Sequence, residues 1–102
     1  MEKSTLKNIV DKIASVNPKY RLEDWVFRKP KLIQLIDNPS EVVQLAAVRE
    51  DGTAIYFIIQ KGIIPSEQVQ LAAVNKYASS IQYIQNPTEE VKNLAREKGV
   101  NI

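Results

Sequence analysis

Residues 39–48 read PSEVVQLAAV and residues 65–74 read PSEQVQLAAV; only Val42 and Gln68 break the identity. A chain of 102 residues that writes one segment twice is built from a repeat, and a repeat decides the architecture before any single element does. A third, degenerate copy begins at Pro87, where PTEEVKNLA keeps a hydroxyl residue, Glu89, Val91 and Ala95 in register. A second block precedes the prolines. Ile33-Gln34-Leu35-Ile36-Asp37-Asn38 matches Ile81-Gln82-Tyr83-Ile84-Gln85-Asn86, and Ile55 and Ile58 fill the two Ile places in the middle copy. Pro39, Pro65 and Pro87 are 26 and 22 residues apart, the extra four residues being Lys61-Gly62-Ile63-Ile64. The unit is thus about 22 residues, an A segment opening at Pro and a B segment built on Ile-x-x-Ile. That length holds two short helices and two tight turns, but not the longer helix pairs of larger solenoid repeats.

The A segment carries helix-start signals. In Asn38-Pro39-Ser40-Glu41, Asn can cap, Pro suits the first helical position and Glu can reach back to the cap amide; Asn86-Pro87-Thr88-Glu89 repeats the pattern. In the middle copy Ile64 cannot cap, which leaves the task to Ser66. Beyond the cap, Val43, Ala46, Ala47 and Glu50 share a stripe and Leu45 and Val48 the next, so Gln44 is expected to point outward. Asp51 and Gly52 end the helix, and Ala54, Ile55, Ile58 and Ile59 form the inner face of a B helix. The run Ile55 to Ile59 suits a strand by composition, but its match to the other Ile-x-x-Ile blocks favours helix.

Upstream, Leu6, Ile9, Val10, Ile13 and Val16 predict an amphipathic cap helix over roughly residues 4 to 16, broken by Asn17-Pro18. Leu22, Trp25 and Val26 predict a short helix that ends at Lys29, because Pro30 disfavours helical geometry before it. The expected fold is all-α: short helical-hairpin repeats of about 22 residues stacked as a small solenoid-like domain with an N-terminal cap helix. It is read as one domain, with residues 1–31 as cap helices and 32–102 as the repeat region.

Composition agrees with a folded helical domain, at 44% apolar and 25% charged residues with three Gly and five Pro. The chain has neither Cys nor His, which removes disulfides, thiolate nucleophiles, imidazole bases and the usual zinc ligands. MEKSTLKNIVDKIASV has charges throughout and no unbroken apolar run, so it reads as neither signal peptide nor membrane span, and a cytoplasmic location is the expectation. Net charge is +2, but residues 1–31 hold eight bases against four acids, while residues 32–102 hold six against eight.

The stretches NPSEVVQLAAV and PSEQVQLAAVNKYASSIQYIQNPTEEV resemble an uncharacterised tandem repeat domain of phage and bacterial proteins, with the pattern NPSEEVQLAAV followed by an Ile-x-x-Ile block. The resemblance covers roughly residues 32 to 95 and brings no activity with it. The leucine-rich-variant repeat is a more distant look-alike in the scale of its units.

Candidate contact residues fall into two groups. Lys19, Arg21, Arg28, Lys29 and Lys31 interleave with Tyr20, Trp25 and Phe27, a mixture that can grip anions and stack on planar groups; its plain structural reading is a core Trp ringed by solvated bases. Gln44 and Gln70 share a register column with Lys92 and would form an outward row. The acidic pairs Glu23-Asp24, Glu50-Asp51 and Glu89-Glu90 diverge by about 100° on a helix and do not converge on a substrate. Ser40, Ser66 and Thr88 have no His to activate them, and capping accounts for them. No Gly-rich phosphate loop, cofactor motif or metal-ligand spacing is present. The expected function is therefore a non-enzymatic protein–protein interaction module through Tyr20, Arg21, Trp25, Arg28, Lys29, Lys31, Gln44 and Gln70. The phage resemblance adds a modulator or inhibitor of a host protein, such as a defence component. The alternatives are nucleic-acid binding through the basic N-terminal segment and self-association as a structural homo-oligomer.

Overall fold

A computed structural model describes residues 22–102. Every regular element among them is helical. Four α-helices carry the A segments and their upstream counterpart: α1 (Leu22–Arg28), α2 (Glu41–Glu50), α4 (Glu67–Lys76) and α5 (Glu89–Glu97). The B segments form 3-10 helices η1 (Pro30–Leu35) and η3 (Ala78–Tyr83), and in the middle copy a 3-10 turn, η2 (Gly52–Ala54), running into α3 (Ile55–Gln60). Helix α1 packs on α2, α2 on α4 and α4 on α5, while α3 packs between η1 and η3. The predicted helix over residues 4 to 16 lies outside the described residues.

The B segments are helical, as expected, but two of the three are 3-10 rather than α. The Ile-x-x-Ile spacing fits both kinds of helix, since i and i+3 are neighbours in each. Ile33 and Ile81 lie in the 3-10 turns, Ile36 and Ile84 close them in extended conformation, and all four are buried. Each block closes on a further turn bond, Ile36 N–H to Ile33 O at 3.2 Å and Ile84 N–H to Ile81 O at 3.0 Å. The core joins these isoleucines to Val26, Val43, Ala47, Val48, Ile55, Ile58, Val69, Ala73, Val74, Val91 and Ala95.

Two of the helix starts are shifted from expectation, while the middle one opens at Ser66 as expected. The N-caps are Ser40, Ser66 and Thr88, each in extended conformation and each accepting at 3.3 Å from the amide three residues on. Asn38 and Asn86 do not cap, because the proline stands one place outside the helix rather than at its first position. Glu41, Glu67 and Glu89 are consequently first-turn residues next to the positive helix end, not partners in a capping box. Two of these carboxylates instead reach the following unit. The Ser66 hydroxyl donates to Glu41 Oε1, and Thr88 Oγ1 donates to Glu67 Oε1 at 2.7 Å. One hydroxyl thus donates to the preceding unit while accepting from its own helix, within its capacity of one donor and two acceptors.

Helix ends follow from local chemistry. Asp51 ends α2 and opens η2, its Oδ1 accepting from Thr53 N–H at 3.0 Å and Thr53 Oγ1 at 2.6 Å. Gly52 is required by proximity: an added Cβ would collide with the Ala73 carbonyl and stand 2.9 Å from Tyr77 Cβ, at the end of α4. At the end of α5, Gly99 takes φ 95°. Its N–H reaches Arg96 O at 3.0 Å, and Val100 N–H reaches Ala95 O at 2.9 Å. This is a Schellman closure, which favours glycine because of the left-handed φ.

Candidate interaction surface

Of the residues singled out from sequence, Tyr20 and Arg21 lie outside the described residues. Trp25 is half-buried on α1, while Arg28, Lys29 and Lys31 are exposed at the junction of α1 and η1. Gln44 and Gln70 are not an outward row. They are only 7% and 6% exposed, and each Nε2 donates at 2.9 Å to the carbonyl of the proline five residues back, Pro39 or Pro65. The physical reason is the irregular turn before each cap. The carbonyl of a buried proline there needs a donor, and a glutamine four residues beyond the cap is long enough to fold back and supply one. The buried stripe of α2 is therefore Val43, Gln44, Ala47 and Val48, with Leu45 and Ala46 only half-buried. In the last copy Lys92 stands in the glutamine's place and approaches Glu89 Oε2 at 3.8 Å instead.

The short-helix side of the molecule holds the more distinctive surface. Because the Ile pair of each B segment points inward, the first residue between them is exposed, Gln34, Tyr56 or Gln82, while the second, Leu35, Phe57 or Tyr83, is half-buried, Phe57 and Tyr83 packing against the core. Tyr56 remains 42% exposed. Its ring meets Phe57 at 5.6 Å between centroids and Tyr83 at 5.3 Å, both edge-to-face, a preferred aromatic geometry. Lys61, from the four-residue insertion, lies back over η1 and donates to Gln34 O at 2.8 Å. Gln34 Nε2 in turn donates to Lys31 O at 3.2 Å. Gln34, Tyr56, Phe57, Gln60 and Lys61 enclose an open hollow of about 310 Å³.

No Asp or Glu occurs in η1, η2, α3 or η3. Carboxylates of the described residues lie on the α-helices that form the other side, or in the turns at Asp37 and Asp51. The surface thus combines aromatic edges, side-chain amides that both donate and accept, and ammonium groups. Such a set can offer hydrogen bonds, charge contacts and aromatic packing to a bound molecule.

Sequence reasoning singled out the Lys61–Ile64 insertion but missed Tyr56, Phe57 and Tyr83. A signal was available: Leu35, Phe57 and Tyr83 share one register column, and Gln34, Tyr56 and Gln82 the next, inside an Ile-x-x-Ile frame that hides its ends and exposes the first residue between them. Other features are less informative. Ile64, at the end of the insertion, is 91% exposed beside a cleft of about 220 Å³ formed with Ile84 and Asn86. No helix among the described residues is long and apolar enough to cross a membrane. Set against protein-family models, curated proteins and solved structures, the chain matches none.

Proposed function

We propose that the chain is a non-enzymatic protein-binding module, a small stack of two-element repeats whose short-helix side meets a partner protein. The observation that carries this reading is Tyr56, 42% exposed and braced edge-to-face by the half-buried rings of Phe57 and Tyr83. Leaving a large side chain in water forgoes roughly 1.5–3 kcal/mol of burial, and buried aromatic anchors are the common energetic centres of protein interfaces. Outward rows on successive repeats are also how stacked proteins build a binding surface. The resemblance of residues 32 to 95 to repeats of phage and bacterial proteins extends the proposal to a modulator of a host protein.

Site-specific photocrosslinking tests the reading. A benzophenone amino acid at position 56 should capture a discrete partner in cells, whereas the same group at position 68, exposed on α4, should not. Equal capture from both positions, or none from either, refutes it. Capture of the chain itself at position 56 replaces the partner with a second copy.

A further inference from the structure

We propose, resting on that reading, that the short-helix side takes an acidic extended segment of its partner protein, carboxylates meeting Lys31 and Lys61 and one apolar side chain entering the hollow beside Tyr56. Charge complementarity carries the assignment. Among residues 22–102 there are nine bases and ten acids, yet the four short elements of this side contain no acid at all. On the α-helices acids and bases are mixed, and Lys92 and Arg96 both lie within 4 Å of Glu89, at 3.8 and 3.6 Å. Lys61 is held differently. The residue is half-buried and its ammonium is held on a neutral carbonyl, Gln34 O, at 2.8 Å. An ammonium has three donors, so further hydrogen-bonding capacity stays open at a site whose side chain is already placed, which lowers the ordering cost of binding.

The remaining chemistry suits a peptide. Gln34 and Gln60 at the rim of the hollow of about 310 Å³ can bond a peptide backbone in either polarity, and Tyr56 and Phe57 supply apolar wall. Ring edges carry the positive end of the aromatic quadrupole, which adds to the preference for an anion. A nucleic-acid backbone fits less well. Tight binding to it draws on many phosphate contacts, of order 6–10 in well-studied cases, whereas this side offers Lys31 and Lys61, with Arg28 and Lys29 exposed at the adjoining end of α1, which is still fewer.

The test is selection from a random twelve-residue peptide library on the 102-residue chain, with removal of peptides that also bind Tyr56→Ser. Surviving sequences should be enriched severalfold in Asp and Glu. A synthesised survivor should bind Lys61→Glu at least tenfold more weakly by fluorescence anisotropy, with affinity falling as salt rises. Tyr56-dependent survivors without acidic enrichment overturn the acidic partner and leave the interaction surface standing. Absence of any Tyr56-dependent survivor overturns both readings. An oligothymidylate that binds more tightly than every peptide, with the same loss in Lys61→Glu, assigns the side to nucleic acid and overturns the proposal.

Discussion

Replacing Ser80 by Ala should stabilise the protein. Ser80 is 0% exposed in η3, and its Oγ has no hydrogen-bond partner among the described residues. A hydroxyl buried without a partner forfeits about 1–3 kcal/mol of hydration. Removing the oxygen leaves a void of roughly 10–15 Å³, worth about 0.3 kcal/mol at the measured cost of cavity volume. The net gain is about 1 kcal/mol or more, which for a chain of this size raises the melting temperature by roughly 4–8 °C. The repeat supplies the reciprocal test. Ala54 holds the equivalent place in the middle copy, is 1% exposed and has no hydroxyl, so Ala54→Ser should lower stability by about 1–3 kcal/mol. Urea unfolding followed by circular dichroism measures both changes. If Ser80→Ala destabilises by more than about 0.5 kcal/mol, the hydroxyl has a partner and the reasoning fails.

Gln44→Met should cost about 1–2 kcal/mol in the same assay, since it strips the donor from a buried proline carbonyl. Gln70→Met should cost less, because Gln70 Oε1 is buried without a partner among the described residues and losing it offsets part of the cost, and Lys92→Met should cost far less than Gln44→Met. Equal costs at all three positions would refute the back-bond as the reason. Gly52→Ala should destabilise by about 1–3 kcal/mol, because the added methyl meets backbone at Ala73 rather than a movable side chain; a neutral result would show that η2 shifts freely. Ser66→Ala should cost about 1 kcal/mol as a lost cap, and combining it with Glu41→Ala should cost less than the sum, since the two share one bond. Strict additivity in that cycle would remove the link between units.

The repeat, the helix positions and the buried Val and Ile columns were legible because periodicity reports burial directly. What was not legible depended on distances that periodicity does not encode. Gln44 looked outward on a helical wheel, yet a proline carbonyl five residues upstream draws it inward. Asn38 had the better capping chemistry, but the proline's position makes Ser40 the cap. The Ile-x-x-Ile block told helix from strand without telling 3-10 from α, since i and i+3 neighbours occur in both. The candidate surface was hidden for a related reason. Tyr56, Phe57 and Tyr83 resemble core residues in composition; Phe57 and Tyr83 are half-buried against the core, and Tyr56 alone of the three is exposed.

The hydroxyls of Ser66 and Thr88 tie the opening turn of each helix to the carboxylate of the helix before it, so the fraying of one helix is coupled to the order of its neighbour. Loosening α2 frees the Glu41 carboxylate and with it a restraint on the start of α4, whose own Glu67 restrains α5 in turn. Because a shared bond couples its two ends equally, loosening the start of α4 also frees Glu41. Amide exchange in the first turns of the three helices would record this as correlated opening.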